Sequence, residues 1–301
     1  MLDDSRVLIT GAEGMLGQAF AQEIGPQALC VNRQRCDITD MESVLSMRDL
    51  SPDIIIHCAA NVNAEDCEVN QVGCRKSLVE GTRNIIELAK ICNARILYPQ
   101  SFLIFDGKTN PITEDTEPNP LSWYGHCKLE AANLIKSEID HFLIVQMGGF
   151  FGGGRVDKNF VGKFIPHALN LLRQRKCTVE IGDRIWQPTY TKDLAKNCIT
   201  LLEHHKTGVY NMASHGHATF AELAHECIQL LGLGAVMEVA TVSAMELQIN
   251  EKARRPDVAI MDNTRLRTEN IDQQRSWQQA LADYLNTPYF QSLVKNLHEV
   301  A

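Results

Sequence analysis

Short apolar runs alternate with segments of helical periodicity through the first half of the chain. Runs rich in β-branched and other apolar side chains predict strands over residues 6–10, 28–31, 53–58, 95–98 and 141–145. Between them, residues 15–23, 41–48 and 82–92 carry apolar side chains at helical spacing. Continuous apolar strands separated by helices are typical of a parallel sheet covered on both faces. The pattern therefore predicts a doubly wound α/β domain.

The regular alternation stops after Phe150. Three consecutive glycines, Gly152 to Gly154, follow, and later segments show no steady succession of strand and helix. Thr219 is placed to cap a helix over 220–231, and Gly232 to end it. We predict a first α/β domain over residues 1–150. A smaller α/β lobe would occupy most of 151–301, with some segments returning to the first domain.

Composition narrows the class of protein. The 301 residues are 45% hydrophobic and 22% charged, which suits a globular protein with a full core. The net charge of −8 comes without any basic run, so neither nucleic acid nor an anionic membrane is an expected partner. Ten cysteines form no Cys-x-x-Cys pair, and there is no signal-like or membrane-spanning run. These features predict a cytoplasmic protein.

A glycine-rich turn follows the first predicted strand and precedes a helix. Gly11, Gly14 and Gly17 permit a tight turn and close approach of the backbone to a pyrophosphate, with Met15 and Leu16 opening the helix. The amide groups and dipole of that helix end favour a phosphate. The turn predicts a dinucleotide site. Residues 1–150 are therefore expected to form a dinucleotide-binding Rossmann domain, and the lobe over 151–301 to be mainly substrate-binding.

The second strand suggests which dinucleotide binds. Arg33 stands where an NAD-selective domain usually offers a carboxylate, and its cation suits a 2′-phosphate. We therefore predict NADPH, with NADH as the alternative. Further cofactor contacts are expected near the adenine and at the end of the third strand, from Asp37, Ile38, Cys58, Ala59, Ala60 and Asn61.

Three residues form a candidate catalytic group. Tyr124 and Lys128 are spaced i, i+4, which places them on one helix face. A nearby ammonium stabilises a phenolate, so the pair can exchange a proton near neutral pH. Ser101, at the end of the fourth strand, is placed to hydrogen-bond the same substrate oxygen.

The chain resembles the extended short-chain dehydrogenase/reductase family, and more closely its dTDP-4-dehydrorhamnose reductase branch. The resemblance spans roughly residues 5–270. Beyond the glycine turn and the catalytic group, it rests on Phe105-Asp106-Gly107-Lys108, Pro111-Ile112-Thr113-Glu114-Asp115, Pro118-Asn119-Pro120, Asn159-Phe160-Val161, Pro188-Thr189-Tyr190-Thr191-Lys192-Asp193-Leu194-Ala195, Arg254-Arg255-Pro256 and Met261-Asp262-Asn263.

The resemblance implies an activity and an assembly. A hydride would pass from NADPH to the carbonyl carbon of a nucleotide-linked 4-keto-6-deoxy sugar while Tyr124 protonates the oxygen. Lys128 would hold the nicotinamide ribose and tune Tyr124, and Ser101 would orient the keto oxygen. The family also implies a homodimer. No histidine or cysteine cluster predicts a metal site.

Substrate contacts are expected at the second lobe and beside the catalytic serine. Arg184 and Arg255 are candidates for the nucleotide diphosphate, because a guanidinium fork matches phosphate oxygens. The other candidates are Ser101, Phe102, Phe150, Asn159, Phe160 and Trp186.

Some positions depart from the branch and leave alternatives open. Phe102 and Leu103 replace acidic and aromatic neighbours of the serine, which makes the sugar pocket more apolar. Leu78 replaces a usual asparagine, and Gln146 begins an altered stretch after the fifth strand. The chain also resembles the NADP-binding β regulatory subunit of methionine adenosyltransferase. That regulatory role and a nucleotide-sugar epimerase are the alternatives.

Overall fold

The centre of the molecule is a parallel sheet of six strands. The computed structural model describes residue 2 and residues 5–243 and 251–298. The sheet strands are β1 (Val7–Thr10), β2 (Ala28–Val31), β3 (Ile54–His57), β4 (Arg95–Ser101), β5 (Phe142–Met147) and β10 (Gly208–Met212). Their order across the sheet is β2-β1-β3-β4-β5-β10, and every neighbouring pair is parallel. This confirms the predicted doubly wound fold.

Helices connect these strands and build the second lobe. They are α1 (Met15–Ile24), α2 (Met41–Leu45), α3 (Ala64–Val69), α4 (Gln71–Arg75), α5 (Gly81–Cys92), α6 (Trp123–Glu138), α7 (Phe160–Arg173), α8 (Thr191–Glu203), α9 (Phe220–Leu230), α10 (Thr264–Thr268), α11 (Trp277–Leu285) and α12 (Pro288–His298). Short 3₁₀ segments lie at Ser46–Leu50, Phe102–Ile104 and Gly154–Val156, and a π-helical turn at Lys76–Glu80.

The sheet is buried on both faces. Side chains of β1 alternate between two cores, with Val7 and Ile9 facing one and Leu8 the other. The first core adds residues of α1 and α8, and the second adds residues of α2, α5 and α6. Helices on both faces leave the carboxyl ends of the strands as the edge where loops meet, which is where ligands bind in such sheets.

The second lobe has its own hydrophobic core. Helices α7, α9 and α11 supply most of it. Three small two-stranded pairings complete it: β6 (Phe150–Phe151) with β9 (Thr189–Tyr190), β7 (Thr178–Gly182) with β12 (Glu238–Val242), and β8 (Ile185–Trp186) with β11 (Ala218–Thr219). The division of the chain at residue 150 stays a prediction, although β10 shows that a later segment joins the central sheet.

Local sequence rules located most element boundaries within a few residues. Thr219 caps the start of α9, as predicted, and it forms a reciprocal capping box with Glu222. The predicted helix over 41–48 is instead a short α-helix followed by a 3₁₀ turn. The sixth sheet strand, β10, was not predicted, because its partner β5 lies far away in sequence.

Candidate active site

The glycine turn has the geometry of a phosphate-binding turn. Gly11 follows β1 with a φ of +65°, and a Cβ there would lie 2.7 Å from the backbone nitrogen of Ala59. A Cβ on Gly17 would lie 2.3 Å from the Gly11 carbonyl oxygen, so α1 packs directly on the turn. Within the described part of the chain, no side chain caps α1 at Gly14. The first amide groups of this helix therefore have no side-chain acceptor, and the donor set fits a pyrophosphate.

The end of β2 carries an exposed cation. The Arg33 side chain is 83% exposed, and its Nε lies 3.4 Å from a carboxylate oxygen of Asp37. Asp37 also accepts hydrogen bonds from the amide and hydroxyl of Thr39, and these bonds lower its pKa. Ile38 is buried against Gly81. Asp37 therefore organises this loop, while Arg33 remains available to a phosphate.

The loop after β3 lies against the glycine turn. The Ala59 amide donates to the Thr10 hydroxyl at 3.2 Å, and Cys58 to Asn61 are all partly buried. The Asn61 side-chain amide donates to Asp66 at 2.7 Å. The three residues before Asn61 have small side chains, which leaves backbone exposed where a cofactor would pass.

Tyr124 and Ser101 are brought together at the start of α6. Ser122 caps the helix, and a Cβ on Gly125 would lie 2.3 Å from the Leu103 carbonyl oxygen, so the helix packs closely on the segment after Ser101. Tyr124 is 7% exposed. Burial raises the pKa of its hydroxyl, while hydrogen bonding to Ser101 opposes that rise. Tyr124 is therefore a neutral phenol and a proton donor.

Lys128 lies one turn of α6 after Tyr124, in the buried part of the site. Its Nζ donates to the Pro99 carbonyl oxygen at 2.6 Å, and the Gln100 side chain donates to the Lys128 carbonyl at 2.9 Å. Lys128 is only 5% exposed, and burial lowers its pKa to about 7. The Nζ also lies 3.8 Å from the centre of the Tyr98 ring. Serine, tyrosine and lysine thus meet at the carboxyl edge of the sheet.

A buried hydrogen-bonded chain lies behind this lysine. The Thr82 hydroxyl donates to the Leu78 carbonyl at 2.7 Å, so it accepts from His57 Nε2 at 3.3 Å. His57 Nδ1 then accepts from the Thr10 hydroxyl at 2.9 Å. Burial, together with the charge of Lys128, lowers the pKa of His57 to about 3. His57 is therefore neutral and adds no second cation beside Lys128.

The two arginines expected at a diphosphate lie together but already bind carboxylates. Both terminal nitrogens of Arg184 reach Glu251 at 3.1 Å. Arg255 Nη1 lies 3.5 Å from the same carboxylate and 2.7 Å from Glu65 of α3. Neighbouring Ala253 packs in the same buried cluster as Tyr124. An anion that binds these arginines would therefore lie near the candidate catalytic group. It would compete with Glu251 for the two guanidinium groups.

The remaining substrate candidates divide into packed and ligand-accessible positions. Trp186 is 6% exposed and stacks on Phe220, which also contacts Phe160. The Asn159 side chain donates to the Phe150 carbonyl oxygen at 2.7 Å, so these two substrate candidates are in direct contact. Phe150, Phe160 and Phe102 are partly buried. Trp186 is thus mainly a core residue, and the contacts of the others with a sugar stay predictions.

Sequence reasoning missed several residues of this region. Glu65 lies far from Arg255 in sequence and had no motif to indicate it. Glu251 lies four residues before Arg255, and this spacing is the signal that could have found it. The π-helical turn at Lys76–Glu80 contains Leu78, and such turns are frequent at functional sites. Gln146 is buried, and its Oε1 has no hydrogen-bond partner among the described residues. Among those residues, no group of three or more metal-ligating side chains is arranged to hold an ion.

The sequence and the fold are similar to those of known proteins. A family model described as the RmlD substrate binding domain matches residues 5–290. The chain belongs to this family. A dTDP-4-keto-6-deoxy-D-glucose reductase of Streptomyces niveus is 29% identical and covers 92% of this chain and 95% of its own. A Bacillus anthracis dTDP-4-dehydrorhamnose reductase, solved in complex with NADP, is 25% identical with a TM-score of 0.86, over 93% of this chain and 98% of its own.

The RmlD comparison confirms the resemblance stated from the sequence and does not favour the alternatives. Methionine adenosyltransferase 2 subunit beta of Xenopus tropicalis is 28% identical, but it covers only 72% of this chain and 70% of its own. A UDP-glucose 4-epimerase of Thermus thermophilus is 16% identical with a TM-score of 0.77, which shows the shared fold alone. In the described part of this RmlD-family chain, no helix has the length and hydropathy of a membrane span.

Proposed function

We propose that the protein reduces the keto group of a nucleotide-linked 4-keto-6-deoxy sugar with NADPH. The observation that carries this proposal is the group of half-buried Ser101 with buried Tyr124 and Lys128, at the same edge of the sheet as the Gly11 turn. A proton donor and a dinucleotide turn at one sheet edge are what carbonyl reduction requires. The names of the family relatives supply the class of sugar.

The cofactor is assigned to the turn and to the loops beside it. The uncapped start of α1 would hold the pyrophosphate, with Gly11, Gly14, Met15, Leu16 and Gly17 forming the contact surface. Arg33 would bind the 2′-phosphate, which favours NADPH over NADH. The cofactor supplies the hydride. The contacts expected from Asp37, Ile38 and the loop 58–61 are part of the same proposal.

The chain's own residues manage the proton and the orientation of the ketone. Ser101 and Tyr124 donate hydrogen bonds to the keto oxygen and fix its position. As the carbonyl carbon accepts hydride, the oxygen gains negative charge and takes the Tyr124 proton, which yields the alcohol. The Lys128 ammonium stabilises the phenolate left behind and is placed to hold the nicotinamide ribose.

The nucleotide end of the substrate is assigned to the second lobe. Arg184 and Arg255 lie close enough to share Glu251, so two guanidinium groups can face one diphosphate. Phe160, Phe150 and Phe102 offer partly exposed aromatic surface for the sugar and base. A homodimer, a cytoplasmic location and the absence of a nucleic-acid partner also belong to the proposal. The family resemblance supports the first, the cysteine pattern the second, and the acidic charge without basic runs the third.

Turnover of a defined substrate panel tests the proposal. NADPH oxidation is measured with several nucleotide-linked 4-keto-6-deoxy sugars, using the wild type and Tyr124→Phe. The Phe variant keeps the ring but lacks the proton, so we expect kcat to fall by roughly 10²- to 10⁴-fold while the Kd for NADPH changes by less than about twofold. Reduction of no sugar by the wild type, or full activity in Tyr124→Phe, would refute the assignment.

A further inference from the structure

Tyr98 lies directly beneath the catalytic lysine. The Lys128 Nζ is 3.8 Å from the centre of the Tyr98 ring, and Tyr98 itself is 2% exposed. A cation over an aromatic face at this distance is attracted by the negative charge density of the ring, and the attraction is strongest where water is excluded. The ring therefore favours the charged form of Lys128 at a site where burial favours the neutral one.

Among the described residues, no carboxylate contributes to the pKa of Lys128 or takes over this role. Burial is the largest influence on its pKa, which falls to about 7, and the next is the Cys58 thiol. Burial raises the pKa of that thiol to about 12, so it stays neutral at physiological pH. His57 is neutral as well, and Tyr124 lies one helical turn away as a neutral phenol. The carbonyl oxygen of Pro99 is the hydrogen-bond acceptor of the ammonium.

The ring of Tyr98, and not an ionised hydroxyl, faces this ammonium. Burial raises the pKa of Tyr98 well above its usual range, so its phenol is neutral. The ring also lies near the neutral His57 imidazole, with centroids 5.9 Å apart. The position of the ring is fixed because Tyr98 is an interior residue of β4 and packs in the core between the sheet, α5 and α6.

We propose that Tyr98 is a positioning residue for the reductase, whose ring face keeps the Lys128 ammonium charged and in place beside Tyr124. This inference rests on the proposed function, because it assigns a purpose to the charge on Lys128. It extends the site to a side chain that touches neither the substrate nor the cofactor.

Direct titration of Lys128 tests the inference without any substrate. Protein labelled with ¹³C at lysine Cε is titrated by NMR, and the Lys128 resonance is assigned by its loss in Lys128→Arg. Tyr98→Leu removes the ring, so we expect the Lys128 pKa to fall by about one unit, a tenfold change in the protonation equilibrium. Tyr98→Phe keeps the ring face and should titrate within about 0.3 units of wild type.

Controls separate this effect from loss of packing. Phe290→Leu truncates a fully buried aromatic side chain in the second-lobe core and should lower thermal stability without moving the Lys128 titration. In Tyr98→Leu, the alkaline limb of the kcat/KM profile should move to lower pH by the same shift as the titration. Near pH 5, about one unit below the lowered pKa, activity should approach that of wild type. A misfolded site would instead lose activity at every pH.

The outcomes are separable from those of the proposed function. An unchanged Lys128 titration in Tyr98→Leu, or an equal shift in Tyr98→Phe, would overturn the role of the ring even if the protein is a reductase. Failure of the wild type to reduce any sugar would refute the proposed function, while the titration would still report whether the ring supports the ammonium.

Discussion

Glu251 occupies the two arginines that we assign to the substrate diphosphate, so removing its charge should strengthen nucleotide binding. Its carboxylate binds Arg184 through two hydrogen bonds of 3.1 Å and also lies 3.5 Å from Arg255. The Arg184 side chain is 12% exposed and that of Glu251 29%. Glu251→Gln keeps the shape of the side chain but removes its negative charge. That charge repels a diphosphate and competes with it for the arginines.

The size of the effect follows from Coulomb's law. Two unit charges about 5 Å apart at an effective dielectric constant of about 20 repel by about 3 kcal/mol. Partial exposure of Glu251 and screening by salt reduce this to about 1–2 kcal/mol. We therefore expect the Kd for a nucleoside diphosphate such as dTDP to fall by roughly 5- to 30-fold in Glu251→Gln.

Isothermal titration calorimetry with dTDP measures this Kd directly. Asp283→Asn is the matched control, because it removes one acidic charge from an exposed ion pair with Arg275 in the same lobe. That variant should bind dTDP as the wild type does, whereas Arg184→Leu should bind it more weakly. If Glu251→Gln binds no better than Asp283→Asn, then Glu251 does not compete with the ligand, and the assignment of these arginines to the diphosphate is wrong.

Two further predictions concern cofactor choice and pH. Arg33→Ala should raise the Kd for NADPH by roughly tenfold, as expected for loss of a partly solvated charge-assisted hydrogen bond. NADH binding, also measured by fluorescence titration, should stay unchanged; Arg35→Ala is the control, and equal weakening of both nucleotides would contradict 2′-phosphate recognition. The pKa of buried His57 falls from 6.5 to about 3, so below pH 6.5 the unfolded chain takes up a proton that the folded protein does not. Stability should therefore decrease as pH falls from 6.5, by up to about 1.4 kcal/mol per unit. Denaturant unfolding of His57→Gln between pH 7 and 5 should show a correspondingly shallower slope, and an identical slope would mean that His57 is not buried neutral.

The sequence by itself determined the fold class and the chemistry of the site. Apolar runs separated by amphipathic segments specify buried parallel strands. The Gly11 turn follows the first of them, where its glycines permit the tight turn and the close packing of α1. Tyr124 and Lys128 are neighbours on any helix at their spacing. These are local rules, in which the consequence of a residue depends on residues a few positions away.

Only the tertiary structure decided which distant residues meet. Glu65 reaches Arg255, and Glu251 reaches Arg184, from distant parts of the chain. Strand β10 completes the sheet through a partner more than sixty residues earlier. The low pKa of Lys128 and the Tyr98 ring beneath it depend on burial between β4 and α6. Desolvation and charge pairing act through space, so a linear pattern carries no record of them until the chain has folded.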